Sequence, residues 1–209
     1  RGLGDVYKRQ VFTLRLPRMI GAVLVGSALS LSGAAYQGVF KNPLVAPDLL
    51  GVSSGACVGA SVAILLHLNS FGVQAMAFVA GILAVGLTLF IPRLIKNTNM
   101  TMLVLSGIIV KGIMDSVMGI IKYVADPETE LQSITYWQLG SLTKVLPRDL
   151  FTVGPVIIAA SVIIFLLRWR INILSLGDRE AKTLGVSVTV VRNFIIICAT
   201  LLTASAVCI

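Results

Sequence analysis

Two charged residues interrupt an apolar run and are the first candidates for chemistry in this sequence. Lys111 and Asp115 lie four residues apart within the run 102–124, so a helix would place them on one face. Inside a membrane, such charges usually face a bundle interior or a wet cavity and mark the path of an ion or substrate. Two interpretations stay open: a neutralised structural pair, or the coupling site of a secondary transporter.

A pair of arginines is the second candidate. Arg15 and Arg18 lie three residues apart at the start of the first apolar run. The planar guanidinium group holds a carboxylate with two hydrogen bonds, so the pair could receive acidic residues of a partner protein. The alternative is that both side chains only snorkel at a membrane interface.

Residues that would build a catalytic or metal site are scarce. His67 is the single histidine, and Cys57, Cys198 and Cys208 lie in apolar runs without a Cys-x-x-Cys spacing. We therefore predict no metal site, no cofactor and no disulfide framework. The apolar runs hold no Ser/His, Asp/Asp or His/Glu set, and the chain has no Gly-x-x-x-x-Gly-Lys-Ser/Thr phosphate loop, so we predict that it is not an enzyme.

Composition identifies the elements that must position these residues. Of the 209 residues, 56% are hydrophobic and only 12% are charged, whereas soluble domains carry about 25% charged residues. The mean hydropathy of +0.94 and the nineteen glycines fit helices packed closely in lipid. The net charge of +8 comes from basic residues at the ends of apolar runs, which does not favour a nucleic-acid-binding face.

Six apolar runs predict an all-α bundle of six transmembrane helices, because each run is long enough to cross a bilayer. The predicted spans are 18–37, 50–67, 72–92, 102–124, 150–168 and 189–209. Prolines punctuate them: Pro43 and Pro47 follow the first run, Pro92 closes the third, and Pro127 follows the fourth. Residues 1–10 are charged and unpatterned, and we expect them to be non-native or disordered.

The distribution of basic residues between the loops orients the bundle. One side carries Lys41, Arg93, Lys96, Arg168, Arg170, Arg179, Lys182 and Arg192. The other carries Arg15, Arg18, Lys144 and Arg148 when residues 1–10 are left out. The richer side is predicted to face the cytoplasm, since positively charged loops stay inside. The long loop 169–188 then faces inward, and the two outer arginines face outward.

The inward loop contains signals for a short, well-defined helix. Asp178 is placed to cap it, the helix would run over Arg179–Leu184, and Gly185 would end it in the left-handed conformation. A docking knob for a partner and a merely solvated connector both stay open on this pattern.

Several motifs occur in the order typical of one family. The chain has Arg15-Leu16-Pro17-Arg18, then Gln37, Asn42-Pro43-Leu44, Pro47 and Gly51-Val52-Ser53-Ser54-Gly55-Ala56. "YWQLGSL" at 136–142 and "LSLGDREAKTLGV" at 174–186 follow. Together they resemble the FecCD-type permeases of ABC importers for vitamin B12 and ferric siderophores. The resemblance covers nearly the whole chain from about residue 11.

This resemblance implies a permease of about ten helices, of which 11–209 would be a partial domain without the first span and the C-terminal spans. Such permeases move a ferric siderophore, haem or cobalamin across the cytoplasmic (inner) membrane of a prokaryote. The implied partners are a second permease subunit in a homodimer or close heterodimer, two ABC ATPase subunits and an extracytoplasmic binding protein. The resemblance does not indicate which chelate is carried.

The same resemblance suggests residue roles. Arg15 and Arg18 would receive glutamates of the binding protein. The ATPase-coupling loop would comprise Gly177, Asp178, Arg179, Glu180, Ala181, Leu184 and Gly185, with Ala181 and Leu184 facing a groove on the ATPase. A cytoplasmic gate would lie at Asn99, Met100 and Thr101. The structural motif would comprise Gln37, Asn42, Pro43, Pro47, Gly51 and Gly55. The family pattern does not call for a lysine at position 111.

Overall fold

The computed structural model describes residues 10–96, 99–145, 147–185 and 187–209, and the regular structure in these ranges is helical. The helices are α1 (Leu16–Phe40), α2 (Val52–Leu65), α3 (Ser70–Leu94), α4 (Met100–Val124), α5 (Glu130–Leu139), α6 (Pro147–Leu166), α7 (Arg168–Leu176), α8 (Asp178–Thr183) and α9 (Val188–Val207). A π-helical turn, Gln10–Arg15, precedes α1, and a 3₁₀ turn, Leu142–Lys144, precedes α6. The predicted all-α membrane bundle is confirmed.

Five of these helices are long and apolar enough to cross a membrane: α1 with its preceding turn, α3, α4, α6 and α9. The predicted span 50–67 is the exception, because α2 has only 14 residues. At 1.5 Å per residue it is about 21 Å long, which falls short of the bilayer core of about 30 Å. Five of the six predicted transmembrane helices are thus long enough to cross alone, and the run 50–67 forms a shorter apolar helix.

The short helix begins deep within the bundle. Gly51, its N-cap, lies against Lys111, with the position of a Cβ atom on Gly51 only 3.5 Å from the Lys111 backbone nitrogen. Lys111 is eleven residues into α4, about 16 Å from that helix's start. The segment 41–51, called here the re-entrant segment, therefore extends through a series of turns to about half the depth of the membrane. Helix α2 then completes the crossing.

Non-helical backbone at this depth needs polar partners within the protein. The Thr88 hydroxyl of α3 donates to the Leu50 carbonyl at 3.1 Å. The Leu44 backbone N–H donates to Asn42 Oδ1 at 2.9 Å. Leu50 itself is fully buried. The re-entrant segment is thus held by hydrogen bonds from a neighbouring span and from its own side chains.

Small residues let α2 and α3 pack at very close range. A Cβ atom at Gly55 would lie 2.5 Å from the Ala84 Cβ, and one at Gly59 would collide with the Met76 carbonyl oxygen. In lipid, such close contact supplies the packing energy that the hydrophobic effect cannot. This pair of glycines therefore positions α2 against the longer helix.

The most buried span is α9, which packs against α1 and α6 in the main core. Buried hydroxyl groups join it to α1: Ser32 and Thr203 lie 2.7 Å apart, and Tyr36 and Thr200 lie 3.0 Å apart. Polar bonds between membrane helices each contribute about 1 kcal/mol. A displacement of α9 is therefore expected to carry α1 with it.

The first helical stretch is longer than predicted. It runs from Gln10 to Phe40, whereas the sequence placed its start at residue 18. Pro17 cannot donate the next helical hydrogen bond, and the wider π-helical turn lies directly before it. Residues 1–9 lie outside the described residues, so the expectation that 1–10 are non-native or disordered stays a prediction.

Candidate functional site

The predicted short helix exists in the inward loop, with a different start. Helix α8 begins at Asp178, its N-cap is Gly177 at φ 155°, and Gly185 follows it at φ 76°. Gly185 thus has the left-handed conformation predicted for a glycine stop. Asp178 is not the cap, because its carboxylate binds two cations from other helices. Val186, in the predicted loop 169–188, lies outside the described residues.

Asp178 joins three helices at the end of the bundle that the basic residues predict to be cytoplasmic. Its Oδ1 accepts from Lys41 Nζ, just beyond α1, at 3.0 Å. Arg192 Nη2, near the start of α9, donates to both carboxylate oxygens at 2.9 and 2.8 Å. The hydrogen bond from Arg192, followed by that from Lys41, holds the pKa of Asp178 below its usual value. Helix α8 is therefore fastened to α1 and α9.

One face of α8 packs against the bundle, and the opposite face is exposed and available to a partner protein. Ala181 is fully buried in the main core, so its predicted place in a partner's groove is wrong. Arg179 and Glu180 are exposed, and Leu184 is 62% exposed. Together with the exposed Lys182 and Thr183, these side chains form the exposed face of α8 and of its C-cap residue Leu184, which can contact another protein.

The predicted gate residues lie next to this helix. Asn99 is the N-cap of α4, Met100 is the first residue of the helix, and Thr101 is exposed. Asn99 and Met100 line a cavity of about 280 Å³ that Asp178 also lines. The structure thus brings the two segments, which are some eighty positions apart in sequence, to one space at the same end of the bundle.

The two predicted outer arginines are accessible. Arg15 ends the π-helical turn, Arg18 lies in the first turn of α1, and both are exposed. Between them, Pro17 is buried and fixes the start of α1. The ion pairs of the described residues include neither arginine. Both guanidinium groups are therefore available to carboxylates of another protein.

Lys111 forms its ion pair with Asp48, whereas both interpretations of the sequence concerned Lys111 together with Asp115. Its Nζ lies 2.8 Å from Asp48 Oδ2, and the other Asp48 oxygen accepts the Ser53 backbone N–H at 2.9 Å. Asp48 thus neutralises the mid-membrane lysine and caps α2, which favours the structural interpretation over a coupling site. Sequence reasoning missed Asp48, although an aspartate a few residues before an apolar run is a recognisable helix-start signal.

The residues of the structural motif stabilise the re-entrant segment. Gln37 Nε2 donates to the Val45 carbonyl at 3.4 Å. Gly51 has φ 79°, a conformation that favours glycine. Pro43 is exposed, and Pro47 lies beside Gly33 of α1. These contacts give the motif a local physical role: it turns the chain back into the bundle.

Known proteins match this chain over its whole length. The profile of the FecCD transport family matches residues 2–209, which includes most of the segment 1–10. The molybdate import system permease protein MolB of Haemophilus influenzae is 34% identical over 99% of this chain and 61% of its own length. A probable iron chelatin transport system permease protein of Helicobacter pylori is 38% identical over 94% of this chain and 59% of its own.

A solved structure has the same fold. It is an inward-facing conformation of a transporter assigned to the metal-chelate ABC type, and it aligns with a TM-score of 0.93, 32% identity and 100% coverage of this chain. The alignment covers 66% of that protein. The chain spans about three fifths of the length of the curated relatives it matches. On the family match and these alignments, the chain belongs to the FecCD transport family.

Proposed function

We propose that this chain is part of the transmembrane permease subunit of an ABC importer in the cytoplasmic membrane of a prokaryote. The observation that carries the proposal is α8, a short helix with an exposed face that Asp178 joins to Lys41 and Arg192, on the side predicted to be cytoplasmic. A helix held to the spans by ion pairs can transmit a movement of a bound ATPase to those spans. The chain itself has no phosphate loop, so hydrolysis belongs to a partner.

The proposed cargo is a metal-containing small solute: a ferric siderophore, haem, cobalamin or molybdate. The first three follow from the motif resemblance, and the fourth follows from the name of the Haemophilus influenzae relative. Specificity would reside mainly in the binding protein, because a wide pathway between two permeases makes few specific contacts. The two permeases would form a homodimer or a close heterodimer.

The proposed coupling route starts at the exposed face of α8. An ATPase that binds Leu184, Arg179 and Glu180 would displace α8 when it hydrolyses ATP. The ion pairs of Asp178 pass that displacement to α9, the most buried span. The gate residues Asn99 and Met100 line the same cavity and would respond to it. Within the chain, two observations support the route: the ion pair of Asp178 with Arg192, and the cavity that Asp178 lines together with Asn99 and Met100.

Outward, Arg15 and Arg18 would dock the binding protein through its carboxylates. Reversing both charges with Arg15→Glu and Arg18→Glu in the intact permease should weaken docking at least tenfold, or about 1.4 kcal/mol. Like charges would then face each other, which costs more than a lost bond. ATP-dependent uptake into vesicles, with the purified binding protein added outside, should fall in parallel.

The measurement is the affinity of the binding protein for the reconstituted permease at low and high salt. The difference between wild type and the double variant should shrink at high salt, since exposed charges are screened beyond about 8 Å. Arg170→Gln, an exposed change on the opposite side of the membrane, is the control and should leave docking unchanged. Equal docking of the double variant and the wild type would show that the arginines only anchor α1.

A further inference from the structure

The cavity beside α8 has an unusual charge balance. It is enclosed by the end of α3, the start of α4, helix α8 and the start of α9, and its volume is about 280 Å³. Three cationic residues line it: Arg93, Lys182 and Arg192. Asp178 is the one carboxylate among its described lining residues.

That carboxylate is already occupied. Both of its oxygens bind Arg192, and one also binds Lys41, so this trio carries a net charge of +1. Arg93 and Lys182 add two positive charges, and their side chains take part in none of the ion pairs found among the described residues. The described lining residues therefore carry a net charge of +2, three cations against one carboxylate, and Lys41, bound to Asp178 outside the lining, adds a further positive charge.

Arg192 provides an independent observation. The residue is only 9% exposed, and its Nε has no hydrogen-bond acceptor among the described residues. A buried donor without an acceptor costs about 1 to 3 kcal/mol, more for a charged group. Basic residues at the ends of spans are ordinarily explained by snorkelling, in which an exposed side chain extends its charge to the membrane interface. That explanation does not account for the buried Arg192 Nε, which has no acceptor among the described residues.

We propose that this cavity binds a phosphate-type oxyanion. An arginine fork matches the oxygens of such an anion, and a lysine adds a point charge. Thr189 and Asn193 also line the cavity and supply neutral hydrogen-bonding groups. The volume exceeds that of a tetrahedral oxyanion and leaves room for hydrating water. This inference concerns a site of the chain itself and stands apart from the transported cargo.

Two sources can supply that chemistry. The cavity lies at the cytoplasmic ends of the spans, where phospholipid headgroups lie, and it is also open to soluble anions. In either case, the bound anion would lie between the wall formed by Asn99 and Met100 and the wall formed by α8, in direct or water-mediated contact with them. Occupancy would therefore join the predicted gate to the predicted coupling helix.

The experiment uses the intact permease in a neutral detergent and inorganic phosphate as the probe. Thermal unfolding and calorimetric titration compare sodium phosphate with sodium chloride at equal ionic strength. Phosphate should raise the unfolding temperature of the wild type. Arg93→Gln with Lys182→Gln should weaken phosphate binding at least tenfold, about 1.4 kcal/mol. Arg170→Gln, which removes an exposed charge from α7 outside the cavity, should bind as the wild type does.

Nanodiscs of phosphatidylcholine, with and without phosphatidylglycerol, separate the two sources. If a headgroup occupies the cavity, phosphatidylglycerol alone will stabilise the wild type, the added phosphate will have no further effect, and the double variant will lose that stabilisation. If a free anion occupies it, phosphate will stabilise the wild type equally in both lipids. The proposal is overturned if neither probe stabilises the wild type, or if the double variant responds as strongly as the wild type.

Discussion

The ion pairs of Asp178 with Lys41 and Arg192, called here the Asp178 junction, can be tested by a change that keeps the shape of the side chain. Asp178→Asn removes the negative charge and preserves the volume. Arg192 would then be buried without a counter-charge, and Lys41 would lose its ion-pair partner. We expect a marked loss of stability in the isolated permease, because an unpaired charge in a low-dielectric site is costly.

The size of the effect follows from the exposure of the two partners. Breaking a fully buried pair costs about 3 to 5 kcal/mol, whereas an exposed pair contributes about 0 to 1 kcal/mol. The Arg192 side chain is 11% exposed and that of Asp178 is 47% exposed, so the junction lies between these limits. We expect about 2 kcal/mol, which lowers the unfolding temperature by about 4 to 8 °C for a chain of this size.

The assay is thermal unfolding in detergent, with Glu128→Gln as the control. Glu128 is exposed in the opposite loop and should tolerate the change.

The lowered pKa of Asp178 also predicts a pH effect on the stability of the permease. Its stabilisation is present above the ordinary value of 3.8 and is lost as pH falls through the lower pKa of the folded state. Equal unfolding temperatures for Asp178→Asn and wild type at pH 7 would refute the junction.

Two further predictions concern the packing of α2. Gly59→Ala should lower the free energy of unfolding by about 1 to 3 kcal/mol, because the added methyl group collides with α3. Gly86→Ala, where the added methyl group meets open space, should be neutral or stabilising. Chemical or thermal unfolding measures both changes. A double-mutant cycle of Asp48→Asn and Lys111→Met should show a coupling of at least about 0.5 kcal/mol. The same cycle with Asp115→Asn should show a smaller coupling, and a larger value would favour Asp115 over Asp48 as the partner of Lys111.

Local signals in the sequence predicted the local features well. The apolar runs located five spans, and the glycine after the inward helix has the left-handed conformation expected of a stop. Asp178 was expected to act locally as a cap. It binds Lys41 and Arg192 instead, and a contact between residues 137 positions apart leaves no trace in the pattern near either one.

The depth of the second apolar run could not be predicted from hydropathy. A run of 18 apolar residues looks the same whether it forms one span or a re-entrant turn followed by a short helix. The difference depends on the contacts of Leu50 with Thr88 and of Asp48 with Lys111, which join separate runs. Ala181 was misassigned for a similar reason, since apolar character alone does not say whether a helix face packs inward or outward.

The most direct measurement is the affinity of the intact permease for the proposed ATPase partner after a change on the exposed face of α8. Leu184→Asp puts a charge on a side chain that is 62% exposed, so folding and membrane abundance should be unaffected. Leu139→Asp, at a side chain 76% exposed at the end of α5 on the other side of the membrane, is the matched control. We predict at least tenfold weaker ATPase binding for Leu184→Asp and unchanged binding for Leu139→Asp. Wild-type affinity in the Leu184→Asp permease would contradict the assignment of α8 as the coupling helix.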